Sequence, residues 1–165
     1  MTEDLPLDGE PLLAALEKAD VGFIVIGGFA VSAHGHLRAT KDLDIVPDPD
    51  PENLNRLANM LSQLDTEVFG MEEFEQEEVP DPTDPDALAL GGNFVLTTKH
   101  GRLDIMQLIS PDLEYADLET SAIEDEVFEH RVRFCSYEHL VAMKEAAGRS
   151  QDLEDLKNLR VARGE

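Results

Sequence analysis

Two aspartates spaced two residues apart, Asp42 and Asp44, are the side chains of this sequence best suited to metal chemistry. In an extended strand, residues i and i+2 point to the same face, so both carboxylates would leave the chain side by side. Adjacent carboxylates repel each other unless a cation lies between them, and Mg²⁺ prefers such oxygen ligands. Asp104, between two apolar neighbours, would be a costly charge in a strand without a partner. If the two strands are adjacent, the three carboxylates form a metal site.

A glycine pair, Gly27 and Gly28, follows an apolar stretch and begins a segment with helical character. At such a turn, free backbone N–H groups and the helix dipole favour an anion such as a triphosphate. Glycines are common in strand-to-helix turns, and alternating acids are common in acidic chains, so each pattern alone is weak. Their order is more informative, because a strand, two glycines, a helix, a strand with Asp-x-Asp and a later strand with one Asp indicate nucleotide transfer.

The elements that must position these residues are predicted from the spacing of apolar side chains. A buried strand is expected over residues 21–26, a short helix over 29–36 and a strand over 41–46. The other predicted elements are a helix capped by Asp8, helices over residues 51–64, 137–147 and 151–161, and strands over residues 93–98, 102–109 and 132–135. This order predicts an α/β (α+β) fold, in which a small mixed sheet is flanked by helices and followed by a C-terminal helical pair.

One domain is expected over residues 1–165, since this length suits a single core. Its core would span about residues 10–135, and its C-terminal helices about residues 137–163. Within the range of the core, residues 65–86 contain ten carboxylates, three prolines and no Lys or Arg. We call residues 65–86 the acidic segment. Such a composition predicts a solvated loop, centred on about residues 70–88.

The charge of the chain limits its function classes. It has 36 Asp and Glu against 13 Lys and Arg, a formal net charge of -23, which excludes an overall basic surface for nucleic acid. The longest nearly apolar run is too short for a bilayer, so no membrane segment is expected. Cys135 is the only cysteine and is most simply a core residue. With no disulfide and no secretory signal pattern, we expect a cytoplasmic protein.

Two explanations compete for the acidic surface. A general solubilising surface, as in proteins from high-salt sources, would favour many Asp and Glu and few Lys. Mimicry of nucleic acid would instead present carboxylates to a basic partner. Runs of charge are usually solvated faces, so we favour the first explanation.

Residues 26–45 resemble the signature of the DNA polymerase β-like nucleotidyltransferase superfamily. More narrowly, they are similar to small bacterial and archaeal nucleotidyltransferases related to abortive-infection (AbiE-type) toxins. The residues that carry this likeness are Gly27, Gly28, Ala30, His34, Gly35, Arg38, Thr40, Asp42 and Asp44. The series Lys144, Arg149, Asp152 and Asp155 resembles the closing helical motif of that group. The acidic segment, from about residue 71, departs from the pattern.

The resemblance implies Mg²⁺-dependent transfer of a nucleoside monophosphate from an NTP, with release of pyrophosphate. It assigns two Mg²⁺ ions to Asp42 and Asp44, and one of them also to Asp104, which would help to deprotonate the acceptor hydroxyl. The residues implied to contact the nucleotide are Gly27, Gly28, Ser32, Arg38, Lys144 and Asp152. Structural roles remain open for three of them: Arg38 as a surface ion-pair partner, Lys144 as a solvated lysine and Asp152 as an N-terminal helix acid.

The leading functional hypothesis is therefore an enzyme, as the toxin of a toxin–antitoxin or phage-defence pair, with tRNA, a protein or a small molecule as acceptor. The alternative is a non-catalytic nucleotide-binding module, or an antitoxin or scaffold with the same fold. An acidic mimic is a third hypothesis, and it would need none of the glycines or aspartates. His34 and His36 have poor spacing for a helical zinc pair, so we assign them no metal.

Overall fold

The computed structural model describes residues 7–71 and 73–165. A mixed seven-stranded sheet runs through the molecule in the order β3-β4-β5-β2-β1-β7-β6. The strands are β1 (Phe23–Ile26), β2 (Asp42–Pro47), β3 (Glu67–Val68), β4 (Phe94–Thr98), β5 (Gly101–Ile105), β6 (Ile123–Val127) and β7 (His130–Phe134).

Helices cover the sheet and complete the fold. They are α1 (Gly9–Lys18), α2 (Gly27–Ala33), α3 (Pro51–Leu61), α4 (Pro85–Ala89), α5 (Tyr115–Glu119), α6 (Tyr137–Ala147) and α7 (Ser150–Ala162), with one turn of 3₁₀ helix at Gln76–Glu78. Among the described residues, no helix has the length and apolarity needed to cross a membrane. The predicted α/β class with a mixed sheet and a C-terminal helical pair is confirmed.

The middle of the sheet is its most buried part, and it determines where the site lies. β1 pairs antiparallel with β2 and parallel with β7, and β2 pairs parallel with β5. Inward-facing Leu43 and Ile45 of β2 are fully buried and lie next to Leu103 and Ile105 of β5. Since strand side chains alternate, the residues between these four point to the opposite face. Those alternate residues are the polar ones that form the site.

Two elements were not predicted, because their sequences lack the usual signals. β6 is an edge strand that pairs antiparallel with β7 and carries mostly exposed, acidic side chains, so it shows no apolar alternation. Its hairpin turn has positive φ at Phe128 and Glu129, residues that seldom mark such a turn. α5 has only five residues, and its main signal is the capping box between Glu114 and Asp117.

The prediction of a plain loop for the acidic segment is wrong. β3 pairs with β4, and α4 begins after the N-cap Asp84 and buries Leu88 completely. A short apolar anchor therefore ties each end of the segment to the core, although polar residues dominate its composition. All of its described carboxylates are exposed, as a solvated segment requires. α2 also differs from the prediction, since it begins directly at Gly27 rather than two residues later.

Candidate active site

The register of the β2–β5 pair brings the three candidate carboxylates together. Asp44 on β2 lies directly opposite Asp104 on β5, and Asp42 lies opposite Arg102. One ligand oxygen from each of the three aspartates lies within 4.8 Å of the others, and among the described residues they form one group with the composition of a metal site. We call Asp42, Asp44 and Asp104 the carboxylate triad. Its all-oxygen donor set suits a hard divalent cation such as Mg²⁺.

The proton affinity of the triad also fits a cation site. Burial raises the pKa of Asp44 well above its ordinary value, and the charges of Asp42 and Asp104 raise it further. Burial likewise raises the pKa of Asp104 to about 6, although Arg102 opposes that shift. In both cases burial outweighs the nearby cation, Lys144 for Asp44 and Arg102 for Asp104, and a bound divalent cation would stabilise the ionised carboxylates further.

The glycine turn packs directly against the triad. Gly27 has φ of +72°, and a Cβ atom built there would lie 1.9 Å from Oδ2 of Asp44, so a side chain at this position would displace the carboxylate. At Gly28 a Cβ would lie 2.8 Å from Oγ1 of Thr40, and this hydroxyl donates to the backbone oxygen of Asp42 at 3.0 Å. The two glycines thus let the start of α2 approach the carboxylates closely.

A buried ion-pair network forms the opposite side of the site. Nζ of Lys144 on α6 lies 3.1 Å from Oδ1 of Asp152 and 2.9 Å from Oδ2 of Asp155, both on α7. Arg38 donates to both oxygens of Asp155, at 2.9 and 3.1 Å. Asp155 is fully buried, and burial alone would raise its pKa, but hydrogen bonds from Lys144 and Arg38 lower the pKa below the ordinary value. The carboxylate is therefore charged.

Asp152 has a capping role as well as an ionic one. Its Oδ2 accepts the backbone N–H of Arg149 at 3.1 Å, which caps the first turn of α7, and also accepts from Nε of Arg149 at 2.7 Å. Burial opposes the ionised form, while the hydrogen bonds from Arg149 and Lys144 lower the pKa of Asp152. The structure shows the helix-terminus role together with an ion pair to Lys144, while contact with the nucleotide stays a prediction. We call Arg38, Lys144, Arg149, Asp152 and Asp155 the cation network.

Asp155 and Arg102 were not predicted as site residues. Asp155 follows Asp152 by three positions on a helix, the spacing that places two side chains on one face. Nη2 of Arg102 lies 3.2 Å from both carboxylate oxygens of Asp104 and 3.7 Å from Oδ2 of Asp42. The signal for Arg102 was its i, i+2 relation to Asp104 in a strand, which places both on one face.

The triad, the glycine turn and four members of the cation network line one cleft of about 700 Å³, whereas the fifth member, Asp155, does not line it. Its other wall is apolar and is formed by Met106, Leu108 and Ile109 after β5 and by Leu140 and Met143 on α6. This volume is in the range of pockets for small ligands.

Two predicted or considered residues lie elsewhere. Ser32 does not line the cleft, and its Oγ accepts the backbone N–H of Arg38 at 3.5 Å. His34 places Nε2 2.8 Å from the backbone oxygen of Cys135. Cys135 is fully buried, and burial raises the pKa of its thiol to about 12, as expected of a core residue.

Solved structures with this fold are nucleotidyltransferases. The lincosamide antibiotic adenylyltransferase LnuA, solved with lincomycin bound, matches with a TM-score of 0.63 at 17% identity, covering 96% of this chain and 99% of that one. ANT(2")-Ia in complex with adenylyl-2"-tobramycin matches with a TM-score of 0.58 at 17% identity, covering 92% and 84%. An antigenic nucleotidyltransferase-like protein from Paracoccidioides brasiliensis matches with a TM-score of 0.56 at 18% identity, covering 94% and 78%.

No protein-family model and no curated protein matches the chain. At identities this low the likeness concerns the fold, so the chain has a nucleotidyltransferase fold. The role of its site must be argued from the cleft itself.

Proposed function

We propose that the protein is a metal-dependent nucleotidyltransferase that moves a nucleoside monophosphate from an NTP to a hydroxyl acceptor and releases pyrophosphate. The observation that carries this proposal is the carboxylate triad, whose ligand oxygens lie within 4.8 Å of one another beside a glycine turn. A non-catalytic domain would have no need to assemble three carboxylates at this electrostatic cost.

The triad is the place for the metal. Asp42 and Asp44 would hold two Mg²⁺ ions with the triphosphate, and Asp104 would share one of them. When bound, Mg²⁺ neutralises the triphosphate and stabilises the charge that develops during transfer. Asp104 is also the residue proposed to accept the proton of the acceptor hydroxyl, because it lies in the same cleft as the apolar residues Met106, Leu108 and Ile109 that follow it.

The remaining cleft residues would bind and orient the triphosphate. Gly27 and Gly28 lie beside Asp44 and Thr40 at the start of α2, and their backbone N–H groups would donate to phosphate oxygens. In the cation network, three cations face two carboxylates, which leaves one net positive charge. Lys144 and Arg38 would direct that charge to the phosphates, while Asp152 would keep Lys144 in place. Ser32, which lies outside the cleft, has no part in this scheme.

A small hydroxylated molecule is the acceptor that the cleft favours. Phosphate contacts dominate the binding of nucleic acids, and a chain with a net charge of -23 offers few cations for a nucleic-acid backbone beyond those that would bind the triphosphate. The apolar wall next to Asp104 offers a surface for the carbon skeleton of such a molecule. LnuA and ANT(2")-Ia, which share the fold, were solved with lincomycin and with an adenylylated tobramycin. A tRNA or protein acceptor would instead support a toxin role with a cognate antitoxin.

The proposal is tested by incubating the purified protein with Mg²⁺ and each labelled NTP in the presence of lincomycin, tobramycin, bulk tRNA or a protein extract. Mass spectrometry of each pool should find a nucleoside monophosphate adduct on a small molecule. Asp42→Ala should abolish it, with a loss of at least about a thousandfold, because the variant lacks a carboxylate that holds the metal. Asp125→Ala on the exposed edge strand β6 is the matched control and should retain wild-type activity.

Unchanged transfer by Asp42→Ala would reject the assigned site. Nucleotide binding by the wild-type protein without an adduct in any pool would instead support the non-catalytic binding module.

A further inference from the structure

Arg102 is a cation next to the triad that the proposed mechanism does not use. Arg102 lies opposite Asp42 across the β2–β5 pair and two residues before Asp104. Its side chain therefore shares one face of the sheet with the three carboxylates of the triad. Its Nη2 donates to both oxygens of Asp104 at 3.2 Å and lies 3.7 Å from Asp42. Arg102 itself does not line the cleft.

Phe69 holds the guanidinium in this position. The Cζ atom of Arg102 lies 4.7 Å from the centroid of the Phe69 ring, a cation–π distance. The backbone N–H of Phe69 donates to the oxygen of Val95 at 2.8 Å, which extends the β3–β4 pairing and fixes the backbone that carries the ring. Nε of Arg102 is buried without a hydrogen-bond partner among the described residues. Burying this unpaired N–H group costs free energy, which the contacts of the guanidinium must offset.

This placement has an electrostatic consequence. Three carboxylates within 4.8 Å repel one another, and a fixed guanidinium at 3.2 Å offsets part of that repulsion when no metal is bound. The same positive charge repels a divalent cation that binds the triad. Arg102 therefore favours the assembled triad without metal and opposes metal binding by the free protein.

We propose that Arg102, held by Phe69, is a positioning residue that acts as a resident counter-cation of the triad, so that divalent cations bind weakly until a nucleotide adds negative charge. The inference rests on the proposed function only in taking the triad as the metal site. It assigns to Phe69, within the acidic segment, a role in setting metal affinity.

The test measures Mn²⁺ binding by electron paramagnetic resonance, with the full-length protein at about pH 8 and no nucleotide. Arg102→Gln should bind Mn²⁺ at least about tenfold more tightly than the wild type, because a unit charge close to the ion is removed. Arg102→Lys retains the charge but loses the planar stack on Phe69, so its Mn²⁺ affinity should lie between those of the wild type and Arg102→Gln. Asp42→Asn, which removes one ligand charge, should lose most of the binding and so locate the signal at the triad.

Two further variants separate this role from general effects of charge and packing. Arg133→Gln is the matched control, because Arg133 also stacks on an aromatic ring, that of Tyr115, but pairs with Glu119 rather than with the triad. It should change Mn²⁺ affinity by less than about twofold, since distant surface charges are screened by salt. Phe69→Leu leaves the charge but frees the guanidinium, so it should tighten Mn²⁺ binding by a smaller factor than Arg102→Gln.

Equal Mn²⁺ affinity in the wild type and in Arg102→Gln overturns the inference and leaves the proposed function standing. Weaker binding by Arg102→Gln also overturns it. Absence of Mn²⁺ binding in both proteins overturns the inference and the metal site together. If Arg102→Gln does not fold, Phe69→Leu decides, and an affinity equal to that of the wild type then counts against the inference.

Discussion

Asp44 can stand beside Asp104 only because residue 27 has no side chain. The backbone at Gly27 has positive φ, and the missing Cβ would lie 1.9 Å from a carboxylate oxygen of Asp44. The space that a methyl group at residue 27 would fill is occupied by the carboxyl group of Asp44, whose pKa is raised. Residue type, backbone conformation and proton affinity are thus coupled at a single contact.

The raised proton affinity predicts how Mg²⁺ stabilises the protein at different pH values. Asp104 has a pKa of about 6 in the folded chain against 3.8 as an isolated group, so the folded chain binds protons more tightly. Without metal, stability therefore falls as the pH rises through that window. Mg²⁺ binds the deprotonated carboxylates, so its stabilising effect should be small near pH 5 and larger near pH 8.

Thermal melting with millimolar Mg²⁺ or with EDTA at the two pH values measures this difference. Asp42→Ala serves as the control, and its melting temperature should respond little to Mg²⁺ at either pH. A wild-type response that is larger near pH 5 would contradict the assignment of the raised pKa to the triad.

The site residues that could be predicted from the sequence are those that belong to short motifs. Asp-x-Asp and the glycine pair are visible as short motifs, and a lone aspartate between apolar neighbours marked Asp104. Arg102 and Phe69 could not be found in this way, because their contact depends on the pairing of β3 with β4 and of β4 with β5. Pairing between distant strands is a property of the whole fold rather than of any short stretch.

At the scale of elements, the cation network joins α6, α7 and the loop that leads into β2. Arg38 comes from the loop after α2, Lys144 from α6 and Asp155 from α7, and the three meet in a buried position. Breaking a buried ion pair leaves an uncompensated charge, which costs more than the pair itself contributes. The orientation of the two C-terminal helices against the site therefore depends on a few charged contacts.

Removing the charge of Asp155 should be strongly destabilising. Asp155→Asn leaves Arg38 without its carboxylate and Lys144 with only Asp152. The free energy of unfolding should therefore fall by about 3 kcal/mol. Denaturant-induced unfolding measures this loss. Glu154→Gln, at the exposed neighbouring position on α7, is the matched control and should change stability by less than about 0.5 kcal/mol. An equal effect of the two substitutions would mean that the network does not hold the helices.

Elements with strong apolar periodicity were predicted well, and elements without it were not. α3, whose leucines form a buried stripe, begins at the predicted Pro51, while β6 and α5 were missed because their exposed, acidic or very short sequences carry little apolar signal. The acidic segment was predicted as a loop from its composition, yet single buried residues such as Leu88 anchor it to the core. Composition describes the surface of such a segment but does not locate its anchors.

At the scale of the whole molecule, the net charge of -23 must be tolerated by one small fold. Arg38, Lys144 and Arg149 at the cleft are engaged in ion pairs, and the described carboxylates of the acidic segment are exposed to solvent. Repulsion among so many like charges opposes the compact state. A source with high internal salt would relieve this repulsion, and this origin stays a hypothesis.

Stability should therefore rise with monovalent salt. Screening by KCl, with EDTA present to exclude divalent cations, should raise the melting temperature by about 2–4 °C for each kcal/mol of repulsion that is removed. A variant with Glu73, Glu75, Glu77 and Glu78 changed to Gln should show a flatter dependence, because these exposed carboxylates contribute to the repulsion. A melting temperature that does not rise in molar KCl would reject adaptation to high salt, and tight salt-sensitive binding of a basic protein would then favour mimicry.

The parallel pairing of β2 with β5 also bears on how the chain folds. Asp44 and Asp104 are 60 positions apart in the sequence, yet they are direct neighbours in the sheet. Bringing them together closes a long loop that contains the acidic segment, and loop closure costs entropy before the contact stabilises anything. The chain must complete this non-local pairing against the mutual repulsion of the triad carboxylates. Arg102 lies on the same strand as Asp104, so its positive charge offsets part of that repulsion as the strands pair.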